Sequence, residues 1–197
     1  MSLASAQAPQ RPATLFDDEA LIRECLKGNE QAWGNLIDKY KNLIFSIPIK
    51  VGLSQDDASE VFQMVCAELV KQLSNLRKPK ALPKWLISVA THESFRISNR
   101  NRRFVDADEE IEETASMSGS ARADEIVRQA EREQLLRDAI SSLQPRCQKL
   151  INMLFFEEPV RSYEQIAQEL GLAEGSIGFI RGRCLQRLRK QLEKDSL

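Results

Sequence analysis

The cationic side chains close to the C-terminus are the residues whose type and spacing could do chemistry. Six of them lie on or just beyond one predicted helix, where only Glu193 and Asp195 oppose them. These cations are Arg181, Arg183, Arg187, Arg189, Lys190 and Lys194. Such a cluster binds nucleic-acid phosphates, because each neutralised phosphate releases condensed counterions. Charge alone would favour an ordinary amphipathic helix with a solvated basic face.

The residues before this helix favour DNA binding, because their spacing is that of a helix-turn-helix. Ala167 is small and lets two helices cross closely, Gly171 follows at the turn, and Ile177 then fills the crossing. Ser162 is a good N-cap for the first helix, and Gln165 stands in the capping-box position. A unit of this kind places its second helix in the major groove of DNA.

Charge is segregated along the chain, although the net charge is only −1 over 197 residues. A second basic cluster lies at the end of an earlier predicted helix, and an acidic run follows it directly. The cluster comprises Arg96, Arg100, Arg102 and Arg103, and the run comprises Asp106, Asp108, Glu109, Glu110, Glu112 and Glu113. A nearly neutral total can therefore contain two surfaces that face DNA. The acidic run is most simply a solvated linker, and the alternative is that it mimics nucleic acid.

The cysteines and the N-terminus indicate a reducing compartment. Cys25, Cys66, Cys147 and Cys184 form no C-x-x-C pair and lie among apolar residues, so we expect buried free thiols, with a redox switch as the minor alternative. Because His92 is the only histidine in the sequence, a histidine-rich metal site is excluded. No stretch resembles a signal peptide or approaches the roughly 20 apolar residues of a membrane span. These patterns predict a cytoplasmic protein without a metal or other cofactor.

The apolar residues recur mostly at helical spacing, which predicts an all-α protein of two small domains. Residues 1–16 are rich in Ala, Ser, Gln and Pro and predict a disordered tail. Helices should fill residues 17–104, where Pro48 is expected to kink or end the second helix. Periodicity is lost in the acidic stretch 105–122, which predicts a flexible linker. It returns in 123–197, which contain the helix-turn-helix.

Several motifs, by their order and spacing, resemble those of a bacterial RNA polymerase sigma factor. Residues 28–33, GNEQAW, resemble that family's Gly-Asp-x-x-Ala-Phe. Residues 57–65, DASEVFQMV, are similar to its Ala-Glu-Asp-x-x-Gln-x-x-Phe helix. Residues 85–90, WLISVA, resemble its Trp-Leu-x-x-Ile-Ala segment, and 162–190 resemble its last domain. The likeness covers nearly all of 17–195 and is to the sigma-70 family, in its two-domain extracytoplasmic-function (ECF) form.

The resemblance implies a subunit without catalytic chemistry that binds core RNA polymerase and directs promoter-specific initiation. It implies a region 2-like domain at 17–104, for core polymerase and the single-stranded −10 element, and a region 4-like domain at 123–197, for the duplex −35 element. The implied core-polymerase-binding residues are Asp56, Asp57, Glu60 and Gln63. The implied −10 residues are Arg77, Lys78, Lys80, Lys84, Arg96, Arg100, Arg102 and Arg103. The implied −35 residues are Ser176, Gly178, Phe179, Arg181, Arg183 and Arg187. Because the family is commonly held inactive by an anti-sigma protein, such a partner is a further expectation.

This chain departs from the family pattern at positions that bear on promoter sequence. His92 and Arg96 stand where the family usually has Asn and Asp, and Ile180 replaces a common DNA-facing Arg. Phe179 could contact a thymine methyl in the groove or pack under the helix. Trp85 could frame the −10 pocket or belong to the core.

Two other functions fit parts of the sequence. The first is a conventional helix-turn-helix regulator that binds palindromic duplex DNA alone, with residues 17–104 used for dimerisation or sensing. The second is a helical adaptor or a helical enzyme. No nucleophile–base pair, metal-ligand spacing or phosphate-binding glycine loop supports an enzyme.

Overall fold

The structure is a computed structural model that describes residues 18–76, 78–105 and 116–195. These residues form α-helices and short 3₁₀-helices and no strand, so the all-α prediction is confirmed. The α-helices are α1 (Asp18–Leu26), α2 (Glu30–Val51), α3 (Gln55–Gln72), α4 (Leu82–Val105), α5 (Ser116–Ser141), α6 (Pro145–Phe155), α7 (Tyr163–Leu170) and α8 (Ile177–Asp195). The 3₁₀-helices are Leu73–Asn75, Pro79–Ala81 and Glu174–Ser176. The predicted disordered tail, 1–16, and the acidic run, 106–113, lie outside the described residues.

The chain divides into two compact units between Glu131 and Arg132. The sequence placed this division at 122/123, after a flexible linker. Helix α5 instead begins at Ser116, and its residues Ile126 and Ala130 are buried in the core of the first unit. Their helical spacing is visible in the sequence, but a local pattern does not reveal which of two cores a helix face joins.

The first unit is built around α2, α3 and α4, which pack against one another. The interior side chains of α2 include Leu36, Leu43, Ile44 and Ile47, all fully buried. Asn29 caps the start of α2, because its side-chain oxygen accepts a hydrogen bond from the Ala32 N–H at 3.2 Å. Helices α3 and α4 are held side by side by this core, so that the α3 start and the α4 end lie on one surface.

Pro48 does not end α2, contrary to one of the two predicted outcomes. The helix continues to Val51 and ends at Gly52, whose φ of 94° is the left-handed conformation that glycine adopts most readily. Pro48 lacks an N–H, but it is buried and its carbonyl accepts hydrogen bonds from the N–H groups of Gly52 and Leu53 at 3.1 and 3.0 Å. The hydrogen bond that Pro48 cannot donate is therefore missing only near the end of the helix, where the burial of Pro48 compensates for it.

The second unit contains the predicted helix-turn-helix, formed by α7, the turn at Gly171, and α8. The Ser162 hydroxyl accepts from the Gln165 N–H at 3.2 Å, while the Gln165 side chain accepts from the Ser162 N–H at 2.9 Å. Gly171 has a φ of 62°, and Ala167 and Ile177 are 4% and 0% exposed at the crossing. The capping box, the turn and the crossing are all confirmed.

A disulfide bond joins Cys147 on α6 to Cys184 on α8, so the prediction of four free thiols is wrong for this pair. Their Cα atoms are 5.5 Å apart although 37 residues separate them in sequence. The crossing of α6 and α8 creates this proximity, and no local motif announces it. Cys25 and Cys66 are free, as predicted; Cys25 is buried and Cys66 is half-buried.

Candidate nucleic-acid and polymerase interfaces

Helix α8 presents its cations to solvent because its apolar residues recur at helical spacing and face the core. Ile177, Cys184 and Leu188 are buried on that inner side. The predicted −35 residues lie elsewhere on α8 and on the 3₁₀ turn before it. Gly178, Phe179, Arg181, Arg183 and Arg187 are exposed, and Ser176 is half-buried. The structure therefore leaves five of these six residues accessible on the second unit, and Arg181 and Arg187 lie on opposite sides of the buried stripe.

Phe179 and Arg183 form a pair on the exposed side of α8. Phe179 is 69% exposed, so it does not pack under the helix, which was one of its two predicted placements. The Arg183 guanidinium carbon lies 5.5 Å from the centroid of the Phe179 ring. A cation over an aromatic face is stabilised by the ring quadrupole and keeps its N–H donors available. This pair can present an apolar edge and a cation to the same ligand.

Tyr163 is a candidate site residue that the sequence analysis missed. It begins α7, and its hydroxyl oxygen accepts a hydrogen bond of 2.6 Å from Nη1 of Arg181. The same guanidinium carbon is 5.9 Å from the Tyr163 ring centroid. Tyr163 thereby holds Arg181 across the helix-turn-helix. The two residues are 18 positions apart, beyond the reach of a helical periodicity.

Arg187 lies against the start of α6. Its Nη1 is 3.2 Å from Oε1 of Gln144 and 3.9 Å from Sγ of Cys147. Farther along, Arg189 donates to Glu193 at 2.8 Å. Gly178 and Gly182 are also exposed on α8, and a Cβ at either position would meet no atom within 4 Å. The helix face thus alternates cations with stretches of bare backbone.

The predicted core-polymerase-binding and −10 residues meet in the first unit, across α3 and α4. Nη1 and Nη2 of Arg100 donate to the two carboxylate oxygens of Glu60, each at 2.8 Å. Asp57 accepts a hydrogen bond from Asn101 at 3.1 Å and lies 3.9 Å from Arg100. Asp56 and Gln63 are exposed on the same helix. Two surfaces that the sequence treated as separate therefore share an ion pair.

This contact keeps the acidic groups ionised. The hydrogen bonds from Arg100 hold the pKa of Glu60 below its ordinary value, and Glu60 in turn raises the pKa of Arg100. The pKa of Asp57 is lowered chiefly by its hydrogen bond with the Ser54 hydroxyl, at 2.8 Å, and then by Asn101. Ser54 is the N-cap of α3, so the helix start and the ion pair are one hydrogen-bonded arrangement.

The remaining predicted −10 residues lie on the loop before α4 and along that helix. Lys78, Lys80, Lys84, Arg102 and Arg103 are exposed, and Arg77 lies outside the described residues. Arg96 is exposed too, but its Nε donates to Glu93 at 2.6 Å. Trp85 is partly buried against the core of the first unit.

A groove of about 670 Å³ runs between α4 and the first part of α5 in the first unit. The α4 side includes Thr91, His92 and Arg96, and the α5 side includes Asp124 and Glu131. The Thr91 hydroxyl is buried there without a hydrogen-bond partner among the described residues. The sequence did not predict this groove, because the α5 residues that line it were assigned to the second domain. Among the described residues, no group of three or more His, Cys, Asp or Glu side chains could hold a metal ion.

The helix-turn-helix unit is the part of the chain that matches a known family model. Residues 139–190 match the family model for sigma-70, region 4. The second unit therefore contains a sigma-70 region 4 domain, which supports a sigma-factor function for the chain. It is 23% identical over 185 residues to the RNA polymerase sigma-H factor of Pseudomonas aeruginosa strain PAO1, an alignment that covers 92% of this chain and 94% of that protein. It also aligns with a solved structure of CnrH in complex with the cytosolic domain of CnrY, at 16% identity and a TM-score of 0.39, over 90% of this chain and 98% of that one.

The region 4 match agrees with the sigma-factor prediction made from the motifs. As a sigma factor, the protein is a transcription initiation factor and not an enzyme. Core RNA polymerase and promoter DNA are the partners that a sigma factor implies. Among the described helices, none is both long and apolar enough to cross a membrane.

Proposed function

We propose that this sigma factor directs promoter-specific initiation by using each unit for one promoter element. The second unit places α8 in the major groove of the −35 duplex. The first unit binds core RNA polymerase through the α3 start and holds the melted −10 strand along the loop before α4 and along α4. The observation that carries the proposal is the exposed Phe179–Arg183 pair on the second helix of a helix-turn-helix.

The contacts on α8 support distinct roles in duplex recognition. Arg183 can donate to a guanine edge or to a phosphate, while the Phe179 ring beside it can contact a thymine methyl. Arg181 is oriented by Tyr163 and is suited to a phosphate at the edge of the groove. Arg187, held by Gln144, is suited to the flanking backbone.

The first unit has the chemistry for a polymerase surface and for a single strand. Asp56, Asp57 and Glu60 form an acidic start to α3, which a basic helix of the polymerase would complement. The exposed lysines at 78, 80 and 84 lie on or next to the loop before α4, and cations of this kind can follow a single-stranded phosphate backbone.

An anti-sigma protein that covers the DNA-binding faces is a further proposed partner, because sigma factors of the family that the motifs resemble are commonly held inactive in this way. A protein that covers α8 would need acidic groups opposite Arg181 and Arg183. A cytoplasmic location follows from the proposed role, because core polymerase and promoter DNA are found there.

Reconstitution with bacterial core RNA polymerase tests the proposal. The purified chain is mixed with core enzyme and separated by size exclusion, and the complex then transcribes genomic fragments. We expect co-elution and defined new start sites, which would give the −10 and −35 sequences. Arg183→Ala should lose starts while still co-eluting, and Arg189→Ala is the matched control because Arg189 is paired with Glu193. Tight binding of the free chain to palindromic duplexes, without co-elution, would instead identify a conventional regulator.

A further inference from the structure

The Cys147–Cys184 bond connects a supporting helix to the helix that faces DNA. Cys147 lies in the first turn of α6 and Cys184 in the middle of α8. Both are buried, with 5% and 1% of their surfaces exposed. Arg183 directly precedes Cys184, and the guanidinium of Arg187 lies 3.9 Å from the Cys147 sulfur. The bond therefore sits directly beneath two of the residues assigned to −35 contacts.

We propose that Cys147 and Cys184 form a reversible redox site that controls how tightly the second unit binds the −35 duplex. In the oxidised form, the bond fixes α8 on α6 and binding is strong. In the reduced form, α8 is released and binding weakens. The direction of this regulation rests on the proposed function, because it assumes that α8 contacts DNA.

The proposed location of the protein is the reason to expect reversibility. In a reducing compartment, glutathione and thioredoxin-type dithiols keep thiols reduced, and disulfides there are mostly transient. A pair whose Cα atoms are held 5.5 Å apart by packed helices is placed for bond formation whenever the compartment becomes oxidising. Cys25 and Cys66 provide an internal contrast. They form no bond, although Cys66 is more exposed than either Cys147 or Cys184.

The exchange chemistry balances with a small-molecule disulfide such as oxidised glutathione. The Cys147 thiolate, favoured by the Arg187 cation beside it, attacks one glutathione sulfur and releases the other glutathione as its thiolate. The Cys184 thiolate then attacks the Cys147 sulfur of the mixed disulfide and releases the second glutathione. Two protein thiols are oxidised, one glutathione disulfide is reduced to two thiols, and the two protons pass to the released thiolates. Reduced glutathione or a dithiol reverses both steps.

The close packing around the disulfide makes the position of α8 depend on whether the bond is formed. When the bond opens, two sulfurs at covalent distance become non-bonded atoms and must move apart. Their neighbours in the same core cluster include Leu150, Ile151 and Ile177, which are at most 2% exposed. A close-packed interior has no space for this separation. The displacement must therefore shift or loosen α8, which carries Arg183 and Arg187.

The experiment compares oxidised and reduced forms of the full chain, prepared in glutathione buffers of defined ratio. Peptide mapping without reductant should show a Cys147–Cys184 cross-link that reduction removes. Fluorescence anisotropy with a promoter duplex from the start-site mapping should show binding that is tighter by about fivefold or more in the oxidised form. The thermal midpoint of the second unit should fall by about 10 °C or more on reduction, because the bond closes a long loop.

Variants separate the redox effect from a folding defect. The double variants Cys147→Ser/Cys184→Ser and Cys147→Ala/Cys184→Ala should both bind DNA like the reduced form and ignore the glutathione ratio. Cys66→Ala is the matched control and should respond like the natural chain. Absence of the cross-link at every ratio, or equal affinities of the cross-linked and reduced forms, would overturn the proposal.

Co-elution with core polymerase distinguishes the two proposals. If the chain co-elutes and initiates equally in both redox states, only the redox site is refuted. If it co-elutes in neither state, the proposed function fails, and the cross-link and thermal measurements still decide whether the redox site exists.

Discussion

The two proposed DNA-binding surfaces differ in what their arginines contact. In the second unit, Arg181 and Arg183 lie against the aromatic rings of Tyr163 and Phe179. In the first unit, Arg100 is held by the carboxylate of Glu60, and Arg96 by that of Glu93. An aromatic partner leaves the positive charge uncompensated, whereas a carboxylate neutralises it. The α8 arginines can therefore bind a phosphate directly. On α4, Arg100 and Arg96 must first give up a carboxylate before they can bind a phosphate.

This difference connects polymerase binding with strand capture. Glu60 belongs to the proposed polymerase-binding surface, and Arg100 to the proposed −10 surface. A polymerase cation that pairs with Glu60 would free Arg100 for a phosphate of the melted strand. By reciprocity, a bound strand would free Glu60 for polymerase. We infer that the first unit binds its strand more tightly once polymerase is present, while the second unit needs no such partner.

The largest expected effect concerns the independence of the two units. Ile177→Ala removes a fully buried side chain at the helix-turn-helix crossing and should destabilise the second unit by about 2–5 kcal/mol. Differential scanning calorimetry should then show one transition lowered and one unchanged. Leu36→Ala, in the core of the first unit, is the matched change and should lower the other transition. A joint shift of both transitions would contradict the division at Glu131.

The next effect tests the α8 surface, where the arginine charges lie against aromatic rings and are not neutralised. Arg183→Ala should weaken binding to the −35 duplex by about 1–3 kcal/mol if Arg183 contacts a base edge. Titrations of matched and mutated duplexes check this, and the loss should be largest for one base pair. Arg189→Ala, which removes a cation paired with Glu193, should change affinity little. An equal loss on every promoter would make Arg183 a phosphate contact instead.

A smaller effect tests the surface of the first unit, where Glu60 neutralises Arg100. Glu60→Gln removes the charge that neutralises Arg100, so the free chain should bind a single-stranded −10 oligonucleotide about two- to fivefold more tightly, in keeping with the strength of exposed ion pairs. The same variant should bind core polymerase more weakly. Glu68→Gln is the control, because Glu68 is on the same helix and lies 3.9 Å from Lys71. Unchanged strand affinity in Glu60→Gln would remove the proposed connection between the two ligands.

The smallest effect is a pH dependence of the first unit. The pKa of Glu60 is lowered from 4.5 in the folded chain, so the ion pair stabilises the fold fully above that value. Its contribution is lost as the pH falls through the lower, folded pKa. Denaturant unfolding below pH 4.5 should therefore show a steeper loss of stability in the natural chain than in Glu60→Gln. Parallel curves would show that the pair contributes nothing measurable.

The sequence predicted those parts of the fold that local chemistry determines. The capping box at Ser162 and the turn at Gly171 involve residues a few positions apart, so their types alone define the helix-turn-helix. Helical spacing likewise predicts the buried stripe of α8, because Ile177, Cys184 and Leu188 recur on one face and leave the cations outside it. The cap of α3 is equally local, since the Ser54 side chain accepts from the N–H of Asp57 three residues on.

The misses all depend on residues that are distant in sequence. The Glu60–Arg100 pair spans 40 positions and the Cys147–Cys184 bond spans 37, and each is created by helices that pack only in the folded chain. Ile126 shows the same difficulty, since its periodicity predicts a buried face but not the core that buries it.

The bare stretches of α8 give its backbone a role of its own. Gly178 and Gly182 lie four residues apart on the exposed side, although each glycine lowers helical stability by roughly 1 kcal/mol relative to alanine. Alanine would fit at both positions, since nothing lies within 4 Å of an added Cβ. An alanine at either position should therefore make the helix more stable without a clash inside the protein. If such a variant nevertheless binds DNA more weakly, the added methyl group must meet the duplex, and the loss reports how closely the DNA approaches the helix axis.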